Sequence, residues 1–219
     1  FFMMVAKNSL QSQAYNTLKE QILSNILTPG ELYSETRISK ELGISRTPMR
    51  EALQCLSQDG YITIIPSKGF MIRQLNEKDM KDSIEIRCAI EGFCTNQIAL
   101  QIATEKGRQL LHNLRQTLSC MERTLNQEDQ LESFIHYDHQ FHLLLVNYME
   151  NDEFNQIFQR LLYLIQLTSK DALAVEGRIQ GTMDEHRKYL DALQSGDGFK
   201  AYQIMIHHLM MPLKIHEKH

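Results

Sequence analysis

The sequence predicts a mainly α-helical protein in two parts. The first is an N-terminal winged helix-turn-helix with a small β-hairpin wing, and the second a C-terminal all-α antiparallel helical bundle. Three observations predict this. Two helical patterns in the first 60 residues are joined by a tight turn containing Gly43. Residues 61–73 are rich in β-branched and aromatic side chains and are broken by Pro66-Ser67-Lys68-Gly69, which is a hairpin signature. From Glu77 almost to the end, apolar residues recur at helical spacing. The boundary falls at about Asn76, so the expected domains are 1–76 and 77–219. A length of 219 residues has room for both.

Each element has a local cause. A first helix is expected from about Ser9 to Asn25, with Ala14, Leu18 and Ile22 on one face. Thr28-Pro29-Gly30 ends it. Ser34 is placed to cap a short helix over Glu35 to Leu42, and Gly43 follows where a left-handed exit costs little. Ser45 is then expected to cap a third helix, Arg46 to about Gln58, closed by Asp59-Gly60. Pro48 falls in its first turn, where a missing N–H is tolerated. Two helices joined so tightly form a helix-turn-helix unit.

The placement of charge says what such a unit is for. Arg46, Thr47 and Arg50 occupy the start of the third helix, the part that enters a major groove. Arg46 and Arg50 are four residues apart and project from one face. An arginine fork bonds a guanine edge or a phosphate, while Thr47 and the helix start suit a phosphate. The opposite face, Met49, Ala52, Leu53 and Leu56, is the one to bury. Lys68-Gly69 forms the wing tip. A lone arginine pair would be no more than a solvated face; the turn, the preceding helix and the wing together favour recognition.

Net charge agrees once the chain is divided. The whole chain carries 23 basic and 27 acidic residues, a net −4, which speaks against coating nucleic acid by bulk charge. Residues 1–76 hold 8 basic and 6 acidic residues, whereas 77–219 hold 15 and 21. The asymmetry leaves a slightly basic reader on an acidic bundle.

Other classes drop out. No apolar run approaches the ~18 residues a membrane span needs. Phe1-Phe2-Met3-Met4-Val5 is short and soon polar, which is not a signal-peptide layout. Cys55, Cys88, Cys94 and Cys120 match no common zinc spacing and read as reduced thiols of a cytoplasmic protein.

The bundle's helices are expected at roughly 77–103, 105–125, 128–149, 152–175, 180–195 and 198–215, with breaks at Gly181 and Asp197. Short loops make neighbours antiparallel. Four polar side chains fall on inner stripes. Asp138 and His142 lie one turn apart among Phe134, Phe141 and Leu145. His186 lies on the stripe of Met183, Leu190 and Leu193, and His208 on that of Ala201, Ile204 and Met205. A buried carboxylate is costly unless paired. One carboxylate and three imidazoles suit a divalent metal, zinc first, with nickel, manganese or iron also compatible. The competing reading satisfies each His on a backbone carbonyl and pairs Asp138 with one of them. His112, His136, His139, His207, His216 and His219 read as surface residues. Arg87 also faces inward, with Glu91 one turn on; it either pairs with Glu91 or binds the carboxylate of an effector.

The run Pro29-Gly30-Glu31-Leu32, Glu35-x-Arg37-Ile38-Ser39-x-x-Leu42-Gly43-Ile44-Ser45-Arg46-Thr47-Pro48-Met49-Arg50-Glu51-Ala52-Leu53, Asp59-Gly60 and Pro66-x-x-Gly69 resembles the DNA-binding domain of GntR-type bacterial transcription regulators. Met49 stands where that family often has Val. The resemblance implies operator contacts by Arg37, Arg46 and Arg50, with Ser45, Thr47, Lys68 and Gly69 assisting. Asp138-x-x-x-His142, Asn151, Glu185-His186-Arg187-x-x-x-Asp191-Ala192-Leu193, Gly196-Asp197 and His208-Leu209 resemble the FadR-like (FCD) branch. In its metal-binding members the matching Asp and three His hold the ion, and similar regulators sense small organic or sugar acids. The implied protein is a homodimeric repressor on palindromic double-stranded operator DNA, with Arg87 at an acid effector. A regulator sensing only the metal and a metal-dependent hydrolase are the other readings. The hydrolase lacks a nucleophile motif, and the protein is expected not to be an enzyme.

Overall fold

The computed structural model describes residues 10–74, 76–125 and 130–216. The fold is mainly helical and consists of two compact units, on either side of residues 75 and 76.

The N-terminal unit runs α1 (Leu10–Leu23), β1 (Leu32–Tyr33), α2 (Glu35–Glu41), α3 (Arg46–Gln58), β2 (Ile62–Ile65) and β3 (Gly69–Ile72). Ala14, Leu18 and Ile22 of α1 are buried, and α1 packs on α3, which buries Met49, Ala52, Leu53 and Leu56. Ser34 caps α2 by accepting from the Arg37 N–H. The hairpin pairs Ile62 with Ile72 and Ile65 with Gly69. Sequence reading missed β1, which pairs with β3 and gives a three-stranded antiparallel sheet in the order β1-β3-β2. Two residues are too few to show an alternating pattern.

The Ser45 cap is not formed. Ser45 sits at the N-cap of α3 in extended conformation, but its side chain makes no capping hydrogen bond. A capping oxygen accepts from the second or third helical N–H. The third residue here is Pro48, which has none. The same proline that pre-shapes the first turn thus removes one of the two available donors.

In the C-terminal unit α4 (Glu77–Gln101) opens with a reciprocal cap between Asn76 and Asp79. It is followed by α5 (Glu105–Thr124), α6 (Gln130–Asn147), α7 (Asp152–Leu173), α8 (Arg178–Gln194) and α9 (Gly198–His216). The expected helices are all present, with several ends displaced by a few residues; 128 and 129, where the third was expected to begin, lie outside the described residues. α4 packs on α9, α7 and α6, while α5 packs on α6 and α8. As expected, Leu161, Leu164, Ile165, Thr168 and Leu173 of α7 are buried. Ile204 is only half-buried; Ala201, Met205 and Leu209 carry the inner stripe of α9.

Gly181 does not break the chain. It lies inside α8, and the turn falls at Gly177, whose φ is +75°. A Cβ on Gly181 would approach Arg178 Nη1 to 3.0 Å, so its small size leaves room for that guanidinium. Asp197, by contrast, does mark a break, its Oδ1 accepting from the Lys200 N–H at the start of α9.

Gly69 has a structural reason to be glycine. Its φ is +133°, and a Cβ there would lie 2.0 Å from the Tyr33 carbonyl oxygen, at the end of the β1–β3 pairing. Gly69→Ala is therefore expected to lower the unfolding free energy by about 2 kcal/mol or more, the upper range for a strained non-glycine residue. Urea denaturation followed by circular dichroism measures it, and a change within about 0.5 kcal/mol, as for an ordinary surface site, would contradict the close approach.

Candidate functional site

Asp138 and His142 project from one face of α6, beside Phe134, Phe141 and Leu145, because residues four apart share a helix face. His186 comes from α8 between Met183 and Leu190, and His208 from α9 between Met205 and Leu209. All four are buried, and one ligand atom from each lies within 4.8 Å of all the others. Nε2 of His142 is 3.1 Å from Nε2 of His208. The Asp138 carboxylate reaches within 3.9 Å of His142 Nε2 and 3.6 Å of His186 Nε2. Asp138 Oδ1 and both ring nitrogens of His186 have no hydrogen-bond partner among the described residues.

Two further carboxylates hold the imidazoles from outside. His142 Nδ1 is hydrogen-bonded to Glu91 Oε2, and Arg87 Nε donates to Glu91 Oε1 at 2.7 Å. His208 Nδ1 is hydrogen-bonded to Glu185 Oε2 at 2.7 Å, and Arg178 grips Glu185 with both Nη atoms at 2.8 and 2.6 Å. Burial alone would raise both carboxyls. The Arg87 guanidinium and His142 overcome this for Glu91, and hydrogen bonds from His208 and Arg178 do so for Glu185, so both sit at about 2. An ionised carboxylate only accepts, so in the neutral imidazoles Nδ1 carries the proton and Nε2 presents a lone pair. Burial pushes His186 well below its ordinary value, with neighbouring positive charge adding to the effect, and burial also lowers His208 against the opposing pull of Glu185, which favours neutral rings at both. Neutral rings are the form that ligates metal.

A narrow cavity adjoins this cluster, lined by Arg87, Asp138, Ser169, Arg178, Thr182 and His208 among others. Arg87 is 6% exposed. Its Nη2 and the Thr182 hydroxyl have no partner among the described residues.

In the N-terminal unit, Ser45, Arg46, Thr47 and Arg50 are all exposed on α3, opposite its buried face. Arg50 Nε pairs with Glu35 at 2.8 Å, and Arg37 Nε with Glu41 at 2.7 Å. Lys68 is exposed at the hairpin turn.

Residues 10–72 match the model of the family described as bacterial regulatory proteins, gntR family, and residues 82–210 match that of the FCD domain. The chain belongs to the GntR family and carries an FCD domain. It is similar to the HTH-type transcriptional regulator YdhC of Bacillus subtilis (strain 168), at 27% identity over 90% of this chain and 86% of that one. It is also similar to the HTH-type transcriptional repressor RspR of Escherichia coli (strain K12), at 26% identity over 91% and 86%. A putative transcriptional regulator GntR from Rhodococcus sp. RHA1 shares the fold, with a TM-score of 0.74 and 19% identity over 91% and 93% of the two chains. The chain is a DNA-binding transcription regulator of GntR/FCD type.

The structure of this GntR regulator brings together Asp138, His142, His186 and His208, and sets Arg87 on the neighbouring cavity. Arg87 does pair with Glu91, yet keeps Nη2 unengaged, so pairing and anion binding are compatible on one guanidinium. His139 is a correction. It is buried, not a surface residue, because α6 is covered by α5 on one side and by α4 and α7 on others, wider than one apolar stripe. Burial drops its imidazole to about 3. His112, His136 and His207 are exposed, while His219 and the side chain of His216 lie outside the described residues. The four cysteines are free.

Glu185 and Arg178 were missed. Glu185 sits beside His186 in sequence and off the apolar stripe, so only the position of α9 reveals its role. Glu91 was legible as a partner of Arg87, but not of His142, 51 residues away. Glu91→Ala leaves Arg87 and His142 buried without their carboxylate, and an unfolding free energy lower by about 3–5 kcal/mol is expected, the range for breaking a buried pair. Exposed His136→Ala serves as the control, expected within about 0.5 kcal/mol of wild type. Parallel urea titrations compare them, and equal midpoints would contradict the pairing.

Proposed function

We propose that this regulator is a homodimeric repressor that holds one divalent metal per chain on Asp138, His142, His186 and His208 and a small carboxylate effector on Arg87. The observation that carries the reading is the 3.1 Å approach of two imidazole Nε2 atoms whose Nδ1 positions are both committed to carboxylates. In the neutral form, which is the one that ligates metal, the two rings present lone pairs to one another, and these repel. A cation shared with the unpartnered His186 Nε2 and Asp138 turns that repulsion into coordination. Histidines that ligate metal usually donate their other N–H to a carboxylate, as here. The nitrogen-rich set suits zinc first, with nickel, manganese and iron compatible. When bound, the ion supplies positive charge next to the cavity.

The unengaged Nη2 of Arg87 favours an acid effector over a regulator that senses the metal alone. A planar guanidinium matches a carboxylate. Thr182 and Ser169 line the same cavity and offer hydroxyls to the remainder of the acid.

On DNA, Arg37, Arg46 and Arg50 contact bases or phosphates, Ser45 and Thr47 meet a phosphate at the helix start, and Lys68 and Gly69 at the wing tip approach the minor groove. Two copies place their recognition helices about one duplex turn, ~34 Å, apart on a palindromic operator. Repression is supported by the name of the E. coli relative. No helix among the described residues is long and apolar enough to cross a membrane, which suits a regulator acting in the cytoplasm.

Elemental analysis of the purified protein is expected to find one divalent metal per chain, and His186→Ala to abolish it while circular dichroism remains helical. Undiminished metal in that variant would remove the cluster from consideration. Arg46→Ala is expected to weaken binding to operator duplexes, selected from a random pool by wild type, by about 1–3 kcal/mol. Fluorescence anisotropy measures this, and unchanged affinity would detach Arg46 from recognition.

A further inference from the structure

We propose that Glu91 couples the two ligands of the bundle: a carboxylate on Arg87 strengthens the hold of His142 on the metal through Glu91, so each ligand tightens the other. The inference rests on the metal and acid reading above.

Two chains of like chemistry converge on the cluster, Arg87–Glu91–His142 and Arg178–Glu185–His208. In each, a carboxylate bridges an arginine of the cavity wall to an imidazole of the metal set. They differ in how the arginine is used. Arg178 commits both Nη atoms to Glu185. Arg87 engages Glu91 through Nε, and its buried Nη2 has no partner among the described residues. Arg87 can therefore take an anion on a wholly unpartnered, buried Nη2 without releasing Glu91, whereas both Nη atoms of Arg178 are already oriented by Glu185.

An anion on the Arg87 fork shares the positive charge that now neutralises Glu91. Glu91 then holds the His142 N–H more strongly, and an imidazole so held is a more basic metal ligand. Linkage makes the effect reciprocal, since an acid that raises metal affinity must gain the same factor from the metal. Glu185, gripped in bidentate fashion by both Nη atoms of Arg178, is a fixed support. It is a positioning residue for His208 without a route from the acid.

The test measures Zn²⁺ affinity of the full chain by competition with a chromogenic chelator, with and without acetate as a minimal carboxylate probe. In wild type, acetate is expected to raise the affinity at least about fivefold, the lower end of typical coupling between sites. Glu91→Gln and Glu91→Asp should each lower metal affinity roughly 10- to 100-fold, the usual loss for an outer-shell partner, and abolish the acetate effect. The aspartate variant keeps the charge and guards against unfolding in the glutamine variant. Glu185→Gln should lower metal affinity similarly and retain the acetate effect. Zinc binding indifferent to acetate in wild type would overturn the coupling alone. An acetate effect that survives both Glu91 substitutions would mean direct contact of the acid with the ion, and loss of the effect in Glu185→Gln would overturn its assignment to Glu91. A wild type that takes up no zinc would overturn the metal reading itself.

Discussion

An ionised carboxylate at zero exposure, Glu91, sits at the centre of the bundle, and the surrounding helices are arranged around the need to neutralise it. Removing an ion from water costs several kcal/mol even after relaxation, roughly, and only close partners repay it. Arg87 comes from the same helix, one turn away, and His142 from α6. Glu185, part-buried, poses a milder form of the problem at the other side of the cluster and is answered by Arg178 and His208. These partners fix the rotational setting of α4, α6, α8 and α9 more tightly than apolar contact does. Leucines tolerate a slight rotation, but a hydrogen bond between buried charged groups does not.

The adjacent pair Glu185 and His186 makes the constraint visible. Successive helical residues point about 100° apart, so one cannot share a face with the other. His186 enters the apolar interior and lies 4.3 Å, centroid to centroid, from the Phe141 ring. Glu185 turns toward α9 and supports His208. One two-residue step thus supplies both an imidazole of the cluster and the carboxylate that holds another, which ties α8 and α9 to the same point.

The N-terminal unit answers the opposite requirement, with its apolar face closed and its charges outside. Met49, Ala52, Leu53 and Leu56 seal α3 against α1, and the other side of α3 presents two arginines and a threonine to solvent. Glu35 and Glu41 limit the freedom of Arg50 and Arg37 without burying them. Exposed pairs of this kind contribute little to stability, a median of about 0–1 kcal/mol, so their effect is on where the guanidinium waits.

Helical periodicity, caps and turn residues sufficed to read every helix, the hairpin, the buried face of α3, and the inward direction of Asp138, His142, His186, His208 and Arg87. These follow from local rules, because the spacing of apolar residues assigns each side chain to a face. The sequence by itself therefore determined the elements other than β1, the four converging polar residues and the GntR motif. Only the tertiary structure decided what covers each face. It buried His139 under a second neighbour, brought Glu91 to His142 across 51 residues, turned Glu185 to His208, and set Tyr33 against Gly69. It also left Ser45 without a capping bond. A residue's face is a property of its own helix, but its partner is a property of the helix that packs there, and that depends on the whole fold.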